Sequence, residues 1–571
     1  MVALAGTWIH EGDPLRVLKL DEDLEAVRRE VAQGRFFERK IKDHLLDNPH
    51  RVRLTLVPDP RLSEEREACE RQDLEAIARR LSPADLDRLR SDAVALRRLQ
   101  DTVEDVACLP TLERGDIPPA VEVITAHAVA AEGRIAVYDQ ATSGILYVAA
   151  AAGAGGLPEE LGDLAPFFCH AFSRIGTSLR DYADMARRID AATGGMGLAV
   201  SPRTGFDGGG ECIPFVSLNA KCLNRNLSPT ADILAELLGQ YSFSDLARLK
   251  SLLLEYRAGL ESMVVHNGHR LAMSLAARHL STTRLLSERW SGIHHLRHVK
   301  ELTDGLSEMG LADLAARLSE IGRQLWRKPN FRVALIGEAD ALADACTRVG
   351  GIADGLAAAG NGAGFSYRGA SSTPTRVREG WTTATAVNFV AAAFPVVRLE
   401  HADAPALAVI AKMLRSLYLH REIREKGGAY GGFAVYNPED GVFSLASYRD
   451  PQLAATLDVF ARSGEFIRSG NFDDNDIKEA ILQVCAEIDK PDPPGPAARK
   501  AFYRQLVNLS DALRLQFKER LIGLSRTEVQ AAAERYFGNG LTHASVAVIA
   551  GEESLRAANA ELSEPLEVHK I

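Results

Sequence analysis

The apolar positions near the N-terminus change from helical spacing to strand spacing. Residues 21–47 repeat apolar side chains at helical intervals, and Asn48-Pro49 ends this pattern. Residues 52–57, VRLTLV, then alternate with a period of two before Pro58-Asp-Pro60, which indicates one strand. A single helix and a single strand cannot bury their apolar faces alone, so we expect this segment to need a sheet from elsewhere.

A charge-dense segment follows over residues 61–105. Its apolar positions fit two helices, and Ser82-Pro83 has the residue types favoured at the N-cap and the first helical position of the second one. We interpret the segment as a helical hairpin that links larger bodies.

The rest of the chain contains two similar α/β units. Each reads Gly-Gly, strand, hairpin turn, strand, a dipeptide ending in proline, and amphipathic helix, over residues 194–238 in the first unit and 427–460 in the second. A repeat of this length predicts duplicated domains of about 230 residues. Strands joined by hairpins and combined with long helices predict an α+β fold. We expect two homologous domains, each a mainly antiparallel sheet with helices packed on one face.

An apolar stretch marks the predicted boundary between these units. Residues 331–337, FRVALIG, have the character of a strand, and we assign them to the beginning of the second unit. The predicted organisation is a helix and a strand in residues 1–60, the helical hairpin in 61–105, and α/β domains in 106–330 and 331–571.

Charge, apolar runs and cysteine usage argue against some partners of this chain and predict its location. The formal net charge of −10 argues against a nucleic-acid partner. No run of about 18 apolar residues occurs, so neither a spanning helix nor a membrane partner is expected. The N-terminal residues lack the pattern of a secretory signal, and the seven cysteines are scattered without a C-x-x-C pair. We therefore expect a reducing, cytoplasmic location.

The spacing of the histidines gives only a weak indication of a metal site. Neither H-E-x-x-H nor H-x-x-E-H occurs in the sequence, and the nearest groups are His266 with His269, and His294 and His295 with His298. No carboxylate stands at the general-base position beside them, so we predict no metal site in this chain. Residues 205–210, GFDGGG, lie between two predicted strands and read as a hairpin turn rather than a phosphate loop.

The strongest candidate site lies within residues 404–430, where a predicted helix ends and a predicted strand begins. Apolar residues at positions 407, 410, 414 and 417 give this helix one packing face, and Gly427-Gly428 is the natural place for a left-handed cap. Arg424 then lies in the last turn and Tyr430 at the first strand positions. A structural interpretation makes Arg424 a helix cap and Tyr430 a half-buried strand residue. A functional one lets both bind carbonyls of an extended peptide, with Tyr430 donating to a developing oxyanion.

Several segments together resemble the pitrilysin–insulysin family of inverted-zincin metallopeptidases, and most closely its presequence-protease-like members. The segments occur in the family's order over nearly the whole chain. They are WIHEGDP at 8–14, NPHR at 48–51, residues 262–280, WSG at 290–292, EGW at 379–381, VNFV at 387–390, the Arg424–Tyr430 motif and SYRDP at 447–451.

The resemblance implies a fold and a division of labour. In that family four similar α/β domains form two halves around a chamber, and zinc and the H-x-x-E-H general base belong to the N-terminal half. Carried over to this chain, Arg424 would anchor a substrate carbonyl and Tyr430 would stabilise the tetrahedral intermediate. Residues 1–60 would be the tail of the second domain, and 106–330 and 331–571 the third and fourth. The first unit has no Arg-x5-Tyr pattern at 188–196.

These observations leave three hypotheses. The chain is the substrate-binding half of a zinc metalloendopeptidase for short unstructured peptides, inactive without an H-x-x-E-H half supplied by another chain or by a missing part of its own. Alternatively, it is a zinc-free peptide-binding or scaffold protein of the same superfamily. The third hypothesis is an independent hydrolase that uses the histidines of 266–298. Zinc is expected only in the N-terminal half, with none bound by this chain.

Overall fold

The computed structural model describes residues 2–59, 61–102, 111–358, 363–538 and 541–571. The chain divides into two compact units, Met1–Pro110 and Thr111–Ile571. The predicted boundary at residues 105 and 106, and Cys108, lie outside the described residues.

The described part of Met1–Pro110 contains helices and connecting segments but no strand. A glycine and an arginine with positive φ, Gly34 at 84° and Arg35 at 51°, separate its second and third helices. Ser82 and Asp85 form a capping box at the start of the fifth helix, which confirms the predicted cap. The helices are α1 Val2–Ile9, α2 Leu20–Ala32, α3 Phe36–Ile41 (continued by a π-helical turn, Lys42–Leu46), α4 Leu62–Ala78 and α5 Pro83–Asp101.

The strand predicted for residues 52–57 is wrong, because these residues form no strand. Their apolar side chains are exposed, with Val52 at 91% and Leu56 at 85%. A strand exists only when a neighbouring strand accepts its backbone hydrogen bonds, and no described strand pairs with this segment. The alternating pattern therefore indicates a preference for strand structure, but the described chain has no strand that pairs with this segment.

The second unit contains two six-stranded sheets, and the first has the order β1-β2-β6-β3-β5-β4. Only the β2–β6 pair is parallel. The strands are β1 Ala128–Ala130, β2 Ile135–Asp139, β3 Ile145–Gly153, β4 Met196–Thr204, β5 Cys212–Leu223 and β6 Phe331–Gly337. The helices are α6 Glu159–Gly162, α7 Ala165–Phe172, α8 Tyr182–Ala192, α9 Leu227–Gln240, α10 Leu246–Ala277, α11 Thr282–Ser291, α12 Ile293–Asp304, α13 Glu308–Leu325 and α14 Ala339–Gly355.

The second sheet has the order β12-β7-β11-β8-β10-β9, with β12–β7 and β7–β11 parallel. Its strands are β7 Arg378–Thr382, β8 Phe389–Pro395, β9 Gly431–Asn437, β10 Val442–Tyr448, β11 Ser545–Ala550 and β12 Glu567–Lys570. The helices are α15 Ala404–Met413 (continued by the π-helix Leu414–Lys426), α16 Leu453–Arg468, α17 Asp474–Ile488, α18 Pro494–Leu506, α19 Asp511–Ile522, α20 Arg526–Phe537 and α21 Glu552–Glu561.

The two sheets share one topology. The order β2-β6-β3-β5-β4 of the first corresponds strand by strand to β7-β11-β8-β10-β9 of the second. The predicted duplication and the α+β class are therefore confirmed. Residues 205–210 form the turn of the antiparallel β4–β5 hairpin, as predicted. We call the two copies the first and the second repeat.

The assignment of residues 331–337 to the second domain is wrong. This strand is β6, which lies between β2 and β3 in the middle of the first sheet. Its parallel partner β2 is almost two hundred residues earlier in the chain, at Ile135–Asp139. The apolar pattern identified the strand correctly but contains no information about a pairing over such a distance.

Each sheet is covered on both faces, because one helix of each repeat packs against the sheet of the other repeat. On β3, Val148 and Ala150 face the helices of their own repeat, whereas Ala149 and Ala151 pack with α18 of the second repeat. On β8, Val390 packs with the helices of its own repeat, and the opposite face lies against α10 of the first repeat. The helices predicted for one face are present, and this exchange covers the other.

Candidate functional site

The connection from the π-helix to β9 presents the predicted site. Leu407, Ile410 and Leu414 are buried and Leu417 is half-buried, which confirms the predicted packing face of the helix. The helix ends at Lys426, and Gly428 has φ of +77°. The Gly428 N–H donates to the Arg424 carbonyl at 3.0 Å. This is the left-handed cap that the Gly-Gly pair predicted.

Arg424 and Tyr430 come together at this cap. The Arg424 guanidinium carbon lies 5.7 Å from the centroid of the Tyr430 ring, within the range of a cation–π contact. Tyr430 is 66% exposed rather than half-buried, and it stands immediately before β9, with its N–H donating to the Tyr448 carbonyl at 3.0 Å. Within the described part of the chain, neither the guanidinium nor the phenol hydroxyl has a hydrogen-bond partner. Both groups can therefore bind a ligand without first breaking a hydrogen bond.

Tyr448 supports Tyr430 from the neighbouring strand β10. The two rings meet edge to face, with centroids 5.6 Å apart and an interplanar angle of 84°. The Tyr448 hydroxyl donates to the His266 carbonyl of α10 at 3.3 Å. That carbonyl lies beside a kink in α10, where Asn267 has non-helical backbone angles. Tyr448 thus connects the candidate site to the first repeat, a role that the sequence did not reveal.

Of the first pair of histidine candidates, only His269 packs against this site. His269 contacts the Tyr448 ring at 4.7 Å and stacks on Phe433 at 5.7 Å. Burial, reinforced by the charge of Arg270, lowers the pKa of His269. His266 is exposed, and its Nδ1 lies 2.9 Å from the Ser262 carbonyl. The two rings therefore have different surroundings, and His269 serves as an aromatic packing residue.

The second group of histidines is engaged within the helices of the first repeat. His294 Nδ1 lies 2.9 Å from the buried carboxylate of Glu288, and His295 Nε2 lies 2.8 Å from the Tyr256 hydroxyl. Burial, with a smaller effect of the nearby His298, lowers the pKa of His295 to about 4. Among the described residues, no three His, Cys, Asp or Glu side chains are grouped as metal ligands.

The corresponding place in the first repeat has the same succession of helix, positive-φ glycine and strand but different side chains. Helix α8 ends at Ala192, Gly195 has φ of +123°, and β4 begins at Met196. Arg188, near the end of α8, pairs with the buried Glu236 carboxylate at 2.9 Å. Arg188 is therefore bound internally, whereas Arg424 remains available.

Comparison with known proteins agrees with this architecture. The family model for the region associated with M16 peptidases of subfamily C matches residues 56–302, and the one described as PreP C-terminal domain matches residues 378–550. The chain belongs to the presequence-protease-like group of the pitrilysin–insulysin (M16) metallopeptidases. It corresponds to the C-terminal part of these proteins.

Curated relatives include the mitochondrial presequence protease of Danio rerio, which is 31% identical over 97% of this chain and 56% of that protein. The chloroplastic/mitochondrial presequence protease 1 of Arabidopsis thaliana is 27% identical over 100% of this chain and 53% of that protein. The chain thus spans about half the length of the curated relatives it matches. No described helix has the length and apolarity needed to cross a membrane.

Solved structures show the same fold. An inactive domain of peptidase M16 from Pseudomonas fluorescens is 14% identical and covers 78% of this chain and 100% of its own, with a TM-score of 0.54. A conserved protein from Enterococcus faecalis V583 is 13% identical and covers 73% of this chain and 96% of its own, with a TM-score of 0.55. At these identities the similarity concerns the fold alone.

Proposed function

We propose that this chain is the substrate-binding part of a zinc metalloendopeptidase that degrades short, unstructured peptides. The observation that supports the proposal is the Arg424–Tyr430 pair at the start of an edge strand. Both side chains are exposed and have no hydrogen-bond partner among the described residues, and the Arg424 guanidinium carbon lies 5.7 Å from the Tyr430 ring centroid. Zinc and the H-x-x-E-H general base would lie in an N-terminal half outside these residues, and this chain alone would be inactive.

The two side chains would divide the work on one peptide bond. The Arg424 guanidinium would donate to a backbone carbonyl of the substrate and hold the chain in register. The Tyr430 hydroxyl would donate to the oxygen of the scissile carbonyl as it becomes an oxyanion. A fixed donor of this kind is worth about 2.7–4 kcal/mol in the chemical step.

Reconstitution tests this proposal. The purified chain is mixed with the H-x-x-E-H half of a presequence-protease-like protein in the presence of zinc, and cleavage of an unstructured peptide is followed. We expect cleavage in the mixture and none with this chain alone. If the mixture cleaves no faster than the H-x-x-E-H half by itself, the proposal is wrong.

Replacing one hydroxyl tests the role of Tyr430. Tyr430→Phe should lower kcat by about 10²–10³ because it removes the oxyanion donor, while KM and folding change little. Tyr182→Phe is a matched control, since Tyr182 is also exposed and lies under an arginine, with the Arg248 guanidinium carbon 4.3 Å from its ring centroid. Equal rates for the two variants would return Tyr430 to a structural role.

The alternative proposal is a zinc-free peptide-binding or scaffold protein of the same superfamily. The same exposed guanidinium and phenol would bind peptide carbonyls without any chemistry. In that case Tyr430→Phe would weaken peptide binding by this chain, and no H-x-x-E-H half would produce cleavage.

We also propose a reducing compartment, such as the cytoplasm. All six described cysteines are free thiols, including the exposed Cys69. The curated relatives have mitochondrial or chloroplastic names, so cell fractionation has to decide between these compartments.

A further inference from the structure

Strand β9 is the last strand of the second sheet. Among the described strands it pairs with β10 alone, so its other edge has unpaired backbone N–H and C=O groups. Such an edge is a template for an added strand, and native sheets commonly block it. Val435 on this strand is 41% exposed, so a side chain of the strand is also accessible to solvent.

The equivalent edge strand of the first sheet is blocked. Strand β4 contains Pro202, which has no N–H to donate to an incoming strand. Strand β9 has the sequence GGFAVYN and contains no proline. The two strands occupy the same position in one topology, so the contrast comes from the sequence of the strand: proline removes a backbone donor in β4, and β9 keeps all of its donors.

A groove of about 450 Å³ lies beside the β9 edge. Its lining is mostly apolar and comes from β9 and Pro438 after it, from helices α15, α17 and α19, and from Arg415 of the π-helix. An ion pair at its rim joins Lys412 Nζ and Glu487 Oε1 at 2.6 Å. The apolar residues that matter here are Ala408, Ala411, Val435, Ile488 and Phe517. The groove can therefore accept an apolar side chain from a peptide that lies along the strand.

The groove lies along the same strand that the Arg424–Tyr430 pair precedes. Tyr430 directly precedes Gly431, the first residue of β9, and the groove is lined from Phe433 onward. Seven residues of strand extend over about 23 Å. A peptide held by Arg424 and Tyr430 at one end would thus reach the groove within a few residues.

We propose that β9 binds an extended peptide as a seventh strand of the second sheet, with one apolar side chain of the peptide in this groove. The inference rests on the proposed function, because it names the binding mode of the peptide that the Arg424–Tyr430 pair would hold. Backbone pairing accounts for acceptance of many sequences, and the groove adds a preference for an apolar residue at one position.

Backbone methylation tests the strand pairing directly. A fluorescein-labelled seven-residue peptide with a central leucine, matching the length of β9, is titrated with this chain and followed by anisotropy. N-methylation at one set of alternate residues removes the N–H groups that face β9, and methylation at the other set removes those that face solvent. We expect one set to weaken binding by about tenfold or more and the other to leave it nearly unchanged. Equal effects of the two sets would overturn the proposal.

Filling the groove tests the apolar preference. Ala408→Trp places a large ring in the groove from a half-exposed helix position and should weaken binding of the leucine peptide by about tenfold. Ala454→Trp, at a half-exposed position of α16 that lines a different groove, is the matched control and should bind as the wild type does. Thermal unfolding of both variants shows whether each has folded. Wild-type binding by folded Ala408→Trp would overturn the proposal.

These outcomes separate the inference from the proposed function. If Ala408→Trp and both methylated peptides leave binding unchanged while the reconstituted enzyme still cleaves, the groove proposal is wrong and the proposed function stands. If peptides bind as expected but no H-x-x-E-H half produces cleavage, the proposed catalytic function fails and the strand edge remains a binding site. Dimerisation of the chain that the peptide cannot reverse would assign the edge to a second copy and would overturn the inference.

Discussion

The two repeats place the same helix–glycine–strand connection at the same edge of their sheets, yet only the second exposes a guanidinium and a phenol there. In the first, Arg188 is bound to Glu236, and Pro202 interrupts the edge strand. In the second, Arg424 and Tyr430 have solvent on one side and an uninterrupted strand on the other. The backbone therefore supplies a position, and a few side chains decide whether that position can bind a peptide.

The contact between the repeats should give the largest effect on stability. Arg278 of the first repeat pairs with Glu379 of β7, both side chains are 9% exposed, and Trp381 Nε1 also donates to Glu379 at 3.0 Å. Arg278→Met leaves a buried carboxylate without its cation, so we expect a loss of about 3–5 kcal/mol in the free energy of unfolding. Urea unfolding measures it.

Arg348→Met is the control for this prediction. Arg348 pairs with Asp344 on the surface of α14, where the loss should stay below about 1 kcal/mol. Equal losses for the two variants would show that the buried pair does not hold the repeats together. If instead Arg278→Met splits unfolding into two transitions, the repeats are less coupled than their shared helices indicate.

The packing of α10 on the second sheet should give the next largest effect. A Cβ on Gly268 would stand closer to the Phe389 ring than any real contact allows, so Gly268→Ala should cost up to about 3 kcal/mol. In the same helix a Cβ on Gly259 meets no atom within 4 Å, and Gly259→Ala should be neutral or stabilising. Thermal melts of both variants distinguish close packing from helix propensity. A Gly268→Ala protein as stable as Gly259→Ala would contradict the observed packing.

Acid should affect the first repeat through His295. Burial lowers the pKa of His295 from 6.5 to about 4, so at pH 5 the unfolded chain binds a proton that the folded chain does not. Stability from this group is therefore complete above about pH 6.5 and is lost as the pH falls toward 4. Between pH 7 and pH 5 the wild type should lose about 2 kcal/mol more than His295→Gln.

Urea unfolding at the two pH values checks the effect of His295. His401→Gln, at an exposed histidine of the second repeat, shows whether any histidine would give the same result. Parallel losses in the wild type and in His295→Gln would exclude His295 as the source of acid sensitivity.

The smallest effect should come from the two glycine connections themselves. Gly428→Ala and Gly195→Ala each force a side chain into positive φ, at +77° and +123°, and should cost about 1 kcal/mol or somewhat more. Only Gly428→Ala should also slow peptide cleavage in the reconstituted enzyme, because it displaces Arg424 and Tyr430. If both variants slow cleavage equally, the difference between the repeats has no functional meaning.

Local features of this molecule were predictable from the sequence. The apolar face at Leu407 and Ile410, the cap at Gly428 and the capping box at Ser82 each depend on residues within a few positions of one another. The Arg424–Tyr430 contact belongs to the same class, because the cap fixes the path between them. The duplication was visible because both repeats keep the same succession of turns and strands.

Features that depend on distant residues were not predictable. The pairing of β6 with β2, and of Tyr448 with the kink at Asn267, joins segments far apart in the chain. No residue type signals the π-helix before Gly427, and alternation at residues 52–57 could not say that a partner strand is absent from the described chain. The apolar face of a helix likewise does not indicate which of the two sheets the helix will pack against.

The exchange of helices has a consequence for the order of synthesis. The first sheet is complete in strands once β6 leaves the ribosome at Gly337, but the helix that covers its Ala149 and Ala151 face ends at Leu506. At ordinary translation rates this apolar face stays uncovered for roughly 10–30 s, until the helix has been synthesised. A nascent chain of this protein should therefore be a chaperone client during that interval, whatever its stability after release.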